Sequence, residues 1–124
     1  MQIAVVLAVG FDSSLMRTRS LVLQSAGYIV ESASSLKEAV ARFQTGDFDL
    51  VLLCHSIPME DRDHLTCLIR ATGSLTPIVS IARNLGSRDA FVNATLEDGT
   101  NKFLAGIGEE LRKAARGSAN WTTH

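Results

Sequence analysis

The sequence is poor in cysteine, with only Cys54 and Cys67 among 124 residues. Neither belongs to a CxxC pair and no Cys/His cluster has zinc spacing, so a disulfide scaffold and a structural zinc site are excluded. Both read as reduced thiols of a cytoplasmic protein. Charge of one sign is also lacking: 12 Lys and Arg face 13 Asp and Glu, for a net charge of -1. That balance gives no electrostatic reason to expect nucleic acid or an anionic membrane as the partner. No apolar run is long enough to span a bilayer. The N-terminal run Ile3–Val9 has no basic flank and no small-residue cleavage site, so it reads as a buried strand and not as a signal peptide. There is no GxGxxG or P-loop, no internal repeat and no low-complexity segment.

The remaining composition is ordinary for an α/β domain, at 46% hydrophobic and 20% charged residues. A chain of this length buries about two-thirds of its unfolded surface and needs no staple. Residues 1–116 read as one domain, and 117–124 as a polar tail whose only large residue is Trp121.

The stretch Asp49-Leu50-Val51-Leu52-Leu53-Cys54 organises the rest. Four consecutive large aliphatic residues without alternation predict a strand buried on both faces, at the centre of a parallel sheet. In such sheets the chemistry lies just beyond the carboxyl ends of the central strands. Around this strand the pattern alternates. Ile3–Val9 is a first strand, followed by a helix capped by Asp12 or Ser13 with Leu15, Arg19, Val22 and Ala26 on one face and Leu23 beside it. Gly27 stops that helix. Tyr28–Ser32, of mixed polarity, is an edge or near-edge strand. Ser35 and Glu38 form a capping box for a helix with Leu36, Ala39, Val40 and Phe43 inward. A third helix runs from about Glu60 to Ala71 with Leu65, Leu68 and Ile69 inward. Thr76–Ala82 is the fourth strand, Ala90–Leu96 the fifth, and a last helix spans Asn101–Arg116.

This order predicts a doubly wound, five-stranded parallel sheet with helices on both faces. Only Arg83–Asp89 separate the fourth and fifth strands, whereas a parallel crossover needs about a dozen residues or more. The fourth helix is therefore expected to be short or absent.

The central strand and the Ile57-Pro58 beyond it resemble the phosphoacceptor region of response-regulator receiver domains of two-component systems. Gly27-Tyr28, Glu38-Ala39, Thr76-Pro77-Ile78-Val79 and Leu104-Ala105-Gly106-Ile107 fall in the matching order and spacing, so the resemblance covers roughly Ile3 to Ala115. It implies a flavodoxin-like fold of receiver type, strand order 2-1-3-4-5. It also implies where a phosphorylation site belongs, and there the sequence departs. The acidic pair that holds Mg²⁺ corresponds to Gly10 and Phe11, with Asp12 one residue late. The phosphoacceptor aspartate corresponds to Cys54, and the hydroxyl residue after the fourth strand to Ala82, with Ser80 two residues earlier. The Lys-Pro pair after the fifth strand is missing from Ala94-Thr95-Leu96-Glu97, and Lys102 is the nearest lysine.

Phosphoryl transfer to a carboxylate needs the nucleophile, a cation and donors for the developing charge. Without them, aspartyl phosphorylation and Mg²⁺ binding are not expected, nor is any other cofactor. Cys54 has a sharper reading, as a redox or nucleophilic thiol. His55, its neighbour, points to the other face of an extended chain, and buried inert cysteine is the commoner state. Phe11 is expected to fill the space vacated by metal and acids, His64 to be solvated, and Glu60-Asp61-Arg62-Asp63 to be a charged helix start.

The expectation is thus a degenerate, phosphorylation-independent receiver-like signalling module in the cytoplasm, not an enzyme. It would bind protein partners, a homodimer being one option, and neither nucleic acid nor membrane. The alternatives are a thiol redox sensor at Cys54 and a small-ligand domain using the emptied crevice.

Overall fold

The computed structural model describes residues 4–54, 56–82, 94–97 and 104–114. The elements are β1 (Val5–Val9), α1 (Ser13–Ser25), β2 (Ile29–Ala33), α2 (Leu36–Thr45), β3 (Leu50–Leu53), α3 (Met59–Ala71), β4 (Ile78–Ala82), β5 (Ala94–Glu97) and α4 (residues 104–114). The strands form one parallel sheet in the order β2-β1-β3-β4-β5, as the sequence pattern and the resemblance imply.

β3 is central and every one of its side chains is fully buried. It is flanked by β1 in the register Val6↔Leu50 and by β4 in the register Val51↔Ile78. Alternation along the strands splits the core in two. Leu7, Val9, Val51, Leu53 and Ile78 face α2 and α3, where Ala39, Leu65 and Ile69 meet them. Val6, Leu50, Leu52, Val79 and Ile81 face the other way, against Leu23 of α1 and Ile107 of α4. β2 lies at the edge, and its exposed positions explain the mixed polarity of its sequence.

The helix ends follow local chemistry. Ser35 Oγ accepts from the Glu38 N–H at 3.1 Å. The Glu38 carboxylate turns back one residue further than the usual box, taking the Ser34 N–H at 2.7 Å. α1 closes through Tyr28 N–H to Leu23 O at 3.1 Å and Gly27 N–H to Gln24 O at 3.0 Å. This closure needs the left-handed backbone that Gly27 adopts at φ 96°.

Two helix faces differ from the sequence expectation. α1 buries Met16, Arg19 and Leu23, while Ala26 is its exposed C-cap; the inward stripe is turned by about one residue from Leu15, Arg19, Val22 and Ala26. In α3, Leu65, Thr66 and Ile69 are buried and Leu68 is outward, 39% exposed. Thr66 tolerates burial because its hydroxyl donates to Arg62 O at 2.8 Å. The anticipated short fourth helix at Arg83–Asp89, residues 90–93 of the fifth strand and the polar tail 117–124 lie outside the described residues.

The Ser34 N–H bond, followed by the attraction of Arg42, holds the Glu38 carboxyl below its ordinary pKa. A carboxyl depressed by folding adds stability above its unfolded pKa, and that stability is lost as pH falls through the folded value. Glu38→Gln is therefore expected to flatten the fall in stability between about pH 5 and pH 3. Urea titrations of both proteins across that range check this.

Candidate functional site

The carboxyl ends of β1, β3 and β4 lie together at one end of the sheet, where β1 and β3 continue into Gly10-Phe11 and Cys54 and β4 ends at Ala82. The ladder runs one residue past the strands here. The Gly10 N–H donates to Ala33 O at 3.1 Å and the Cys54 N–H to Val9 O at 2.9 Å. Gly10 and Cys54 are thereby brought side by side. A Cβ placed on Gly10 would lie 3.2 Å from Cys54 Cβ, 3.0 Å from Met16 Cγ and against Met16 Sδ. The space a side chain at position 10 would need is occupied by the Met16 thioether. Met16, Cys54 and Ala8 form a small buried cluster, with half-buried Val30 against it.

Met16 reaches this place because of how α1 starts. The Asp12 carboxylate caps the helix, Oδ1 accepting from Ser14 N–H at 3.0 Å and Leu15 N–H at 3.2 Å. The Asp12 carbonyl takes the Met16 N–H at 3.0 Å, so residue 16 ends the first turn and points at the strand ends. An unbranched thioether fills irregular gaps of this kind well. The cap also accounts for the one carboxylate near the expected acidic pair.

Contrary to the sequence expectation, Phe11 does not fill the vacated space. It is 37% exposed, on the rim, where its N–H donates to Ser56 Oγ at 3.0 Å and ties the loop after β1 to the loop after β3. Met16 takes the interior instead. Sequence reading missed Met16 by choosing the adjacent helical stripe. The spacing 16, 19, 23 was a usable signal but no stronger than 15, 19, 22.

Ser80 is buried, opposite Leu53 in the ladder. It therefore shares the α2–α3 side with Leu53, while Cys54 packs on the other side with Ala8. The structure does not bring Ser80 to Cys54. Ala82 ends β4 in register with Glu97. Within the expected fifth strand Ala90–Leu96, the described residues Ala94–Glu97 form β5, so the position assigned to the Lys-Pro pair falls inside the strand and not after it. It pairs in parallel with Val79–Ala82 of β4. Lys102 lies outside the described residues.

No family model matches the chain. A curated relative, the two-component response regulator ORR41 of Oryza sativa subsp. japonica, is 34% identical over 83 residues. The match covers 64% of this chain and spans 65% of that relative, just under two thirds of its length. Among solved structures, the chemotaxis response regulator CheY4 of Vibrio cholerae matches with a TM-score of 0.77 at 24% identity, over 87% of this chain and 98% of that one. A putative response regulator from Chloroflexus aurantiacus gives 0.78 at 21% identity, over 90% and 99%. TrrA of Thermotoga maritima, solved in complex with Mg²⁺-BeF, gives 0.73 at 20%, over 88% and 99%.

The chain has the fold of a response-regulator receiver domain. In that fold the sheet end just described is where an acidic pair and a phosphoacceptor aspartate are expected. Among the described residues, the groups that this receiver-like domain brings together there are the Met16 thioether, the Cys54 thiol and Gly10. Mg²⁺ takes hard oxygen ligands in near-octahedral geometry, and this set of donors does not fit it.

Two measurements probe the cluster. Gly10→Ala is expected to cost about 1–3 kcal/mol by overpacking. Met16→Ala is expected to cost about 2–5 kcal/mol by leaving a cavity. The double variant should cost less than their sum by about 1 kcal/mol, since the new methyl enters the space the thioether left. Urea unfolding of the four proteins gives the cycle. Separately, Cys67 is exposed and Cys54 fully buried. An aromatic disulfide reagent is therefore expected to titrate one thiol promptly and the second only on unfolding.

Proposed function

We propose that this receiver-like domain is a phosphorylation-independent signalling module that works by binding protein partners in the cytoplasm, and that it is not an enzyme. The observation that carries the reading is the contact of Met16 with Gly10 and Cys54 at the strand ends. A site for phosphoryl transfer must gather negative charge around a cation and keep a nucleophile accessible. Here the cluster is apolar and closed. A thiol with no exposed surface also disfavours a fast-reacting redox sensor, because an oxidant has no access to the sulfur.

The fold itself supports a role in contact formation. Receiver domains interact with protein partners in two-component signalling. Among the described residues no helix is long and apolar enough to cross a membrane. Exposed apolar side chains such as Phe11, Met59 and Leu75 offer surface for a partner.

The test is direct. The full chain incubated with acetyl phosphate and Mg²⁺ is expected to keep its intact mass, and Mg²⁺ alone to leave the amide signals of residues 8–16 unmoved. A stable phosphoryl adduct on an aspartate overturns the proposal.

A further inference from the structure

Among the described residues no strand pairs with the outer edge of β2, and a groove lies beside its carboxyl end. Among the described residues β2 pairs with β1 alone. The Ile29 N–H donates to Ala4 O at 3.0 Å and the Ala33 carbonyl accepts from Gly10 N–H at 3.1 Å. Alternation along a strand then turns the N–H and C=O groups of Val30 and Ser32 outward, away from β1. At the Ser32 end of this edge lies a groove of about 380 Å³ lined by Met16, Arg17, Ser20 and Leu21 of α1 and by Ser32 and Glu38 across from them.

Two features select what fits. Charge is the first. Glu38 is committed, accepting the Ser34 N–H and facing Arg42 at 3.7 Å. Arg17 has no ion pair among the described residues, whereas Glu38 and Glu31 share Arg42, so Arg17 is the lining side chain placed to meet an incoming carboxylate. Shape and polarity are the second. Leu21 is 60% exposed on the same wall, one helical turn from Arg17. From residue 13 to residue 21, α1 spans about 12 Å, which matches about four residues of extended chain.

We propose that β2 and this groove bind an extended segment of a partner protein as an added strand. The segment would carry a carboxylate for Arg17 and, two residues away on the same face, an aliphatic side chain for Leu21. Main-chain bonds to Val30 and Ser32 supply affinity, and the two side chains supply selection. A second copy of this chain is a poor occupant. An antiparallel pair of β2 strands centred on Glu31 sets that carboxylate against its own copy, and like charges directly opposite destabilise a pair. The proposal takes up the protein partner of the preceding reading; the phosphodonor result stands on its own whichever way the peptide behaves.

The full chain, ¹⁵N-labelled, is titrated with the probe acetyl-Val-Leu-Val-Glu-Val-amide. The Val30 and Ser32 amide signals are expected to move saturably. The probe with Lys in place of Glu is expected to bind about tenfold more weakly, the loss of one charge-assisted contact. Arg17→Glu should reverse that preference. A probe N-methylated on alternate amides, chosen to block the face that meets β2, should not bind. Because the probe series leaves the protein unaltered, a misfolded variant cannot mask the outcome. Immobile Val30 and Ser32 signals overturn the proposal, as do equal affinities for the Glu and Lys probes. The same signals moving with protein concentration alone, or saturating with inorganic phosphate alone, also overturn it.

Discussion

β3 is the element whose burial the whole domain requires. Its four side chains divide between two cores, two on each face, so removing it would part the α2–α3 layer from the α1–α4 layer. The chain fastens its start with a polar clasp. The Asp49 N–H donates to Val5 O and the Asp49 carboxylate accepts the Val5 N–H, both at 2.8 Å. That pair of hydrogen bonds between neighbouring strand starts fixes the register of β1 against β3. It thereby decides that Val9 and Leu53, and after them Gly10 and Cys54, end side by side.

From that alignment comes the character of the functional end of the sheet. Residues past the ends of two central parallel strands are forced close together, and in this fold the closeness ordinarily serves to concentrate charge. Here the same geometry gathers sulfur and carbon. Burying a methionine side chain is worth about 1.5–3 kcal/mol. Crowded carboxylates would instead repel unless a cation joined them. That end is therefore consistent in itself: glycine leaves room, the thioether fills it, and Cys54 completes the packing. Phe11, displaced outward, becomes rim surface, and the Ser56 hydroxyl holds its backbone in place.

The groove at the other end of this cluster shares a residue with it. Met16 packs on Cys54 with one side and lines the β2 groove with the other. A strand edge with outward-facing amides is a hazard unless it is short, charged or occupied. β2 has five residues and carries Glu31, paired with Arg42 at 3.3 Å, so it is only partly protected.

Much of this was legible in the residues themselves. The unalternating run at Leu50–Leu53 announced a strand buried on both sides, because burial on two faces leaves no polar position. The caps at Asp12 and Ser35 and the stop at Gly27 were legible because their chemistry is local. So was the absence of carboxylates at positions 10, 11 and 54, which composition alone makes plain once the strand ends are known. The tertiary structure decided the phase of the helices and the pairing of the last strand. Leu15 and Met16, or Leu68 and Thr66, are both within reach of the inward side of their helices, and only the sheet beneath determines which of them turns inward. The fifth strand was legible in the sequence, but its extension to Glu97 was decided by pairing with Ala82 of β4. Met16 rather than Phe11 closes the crevice because the first turn of α1, counted from its cap, aims residue 16, and not residue 11, at the space above Gly10.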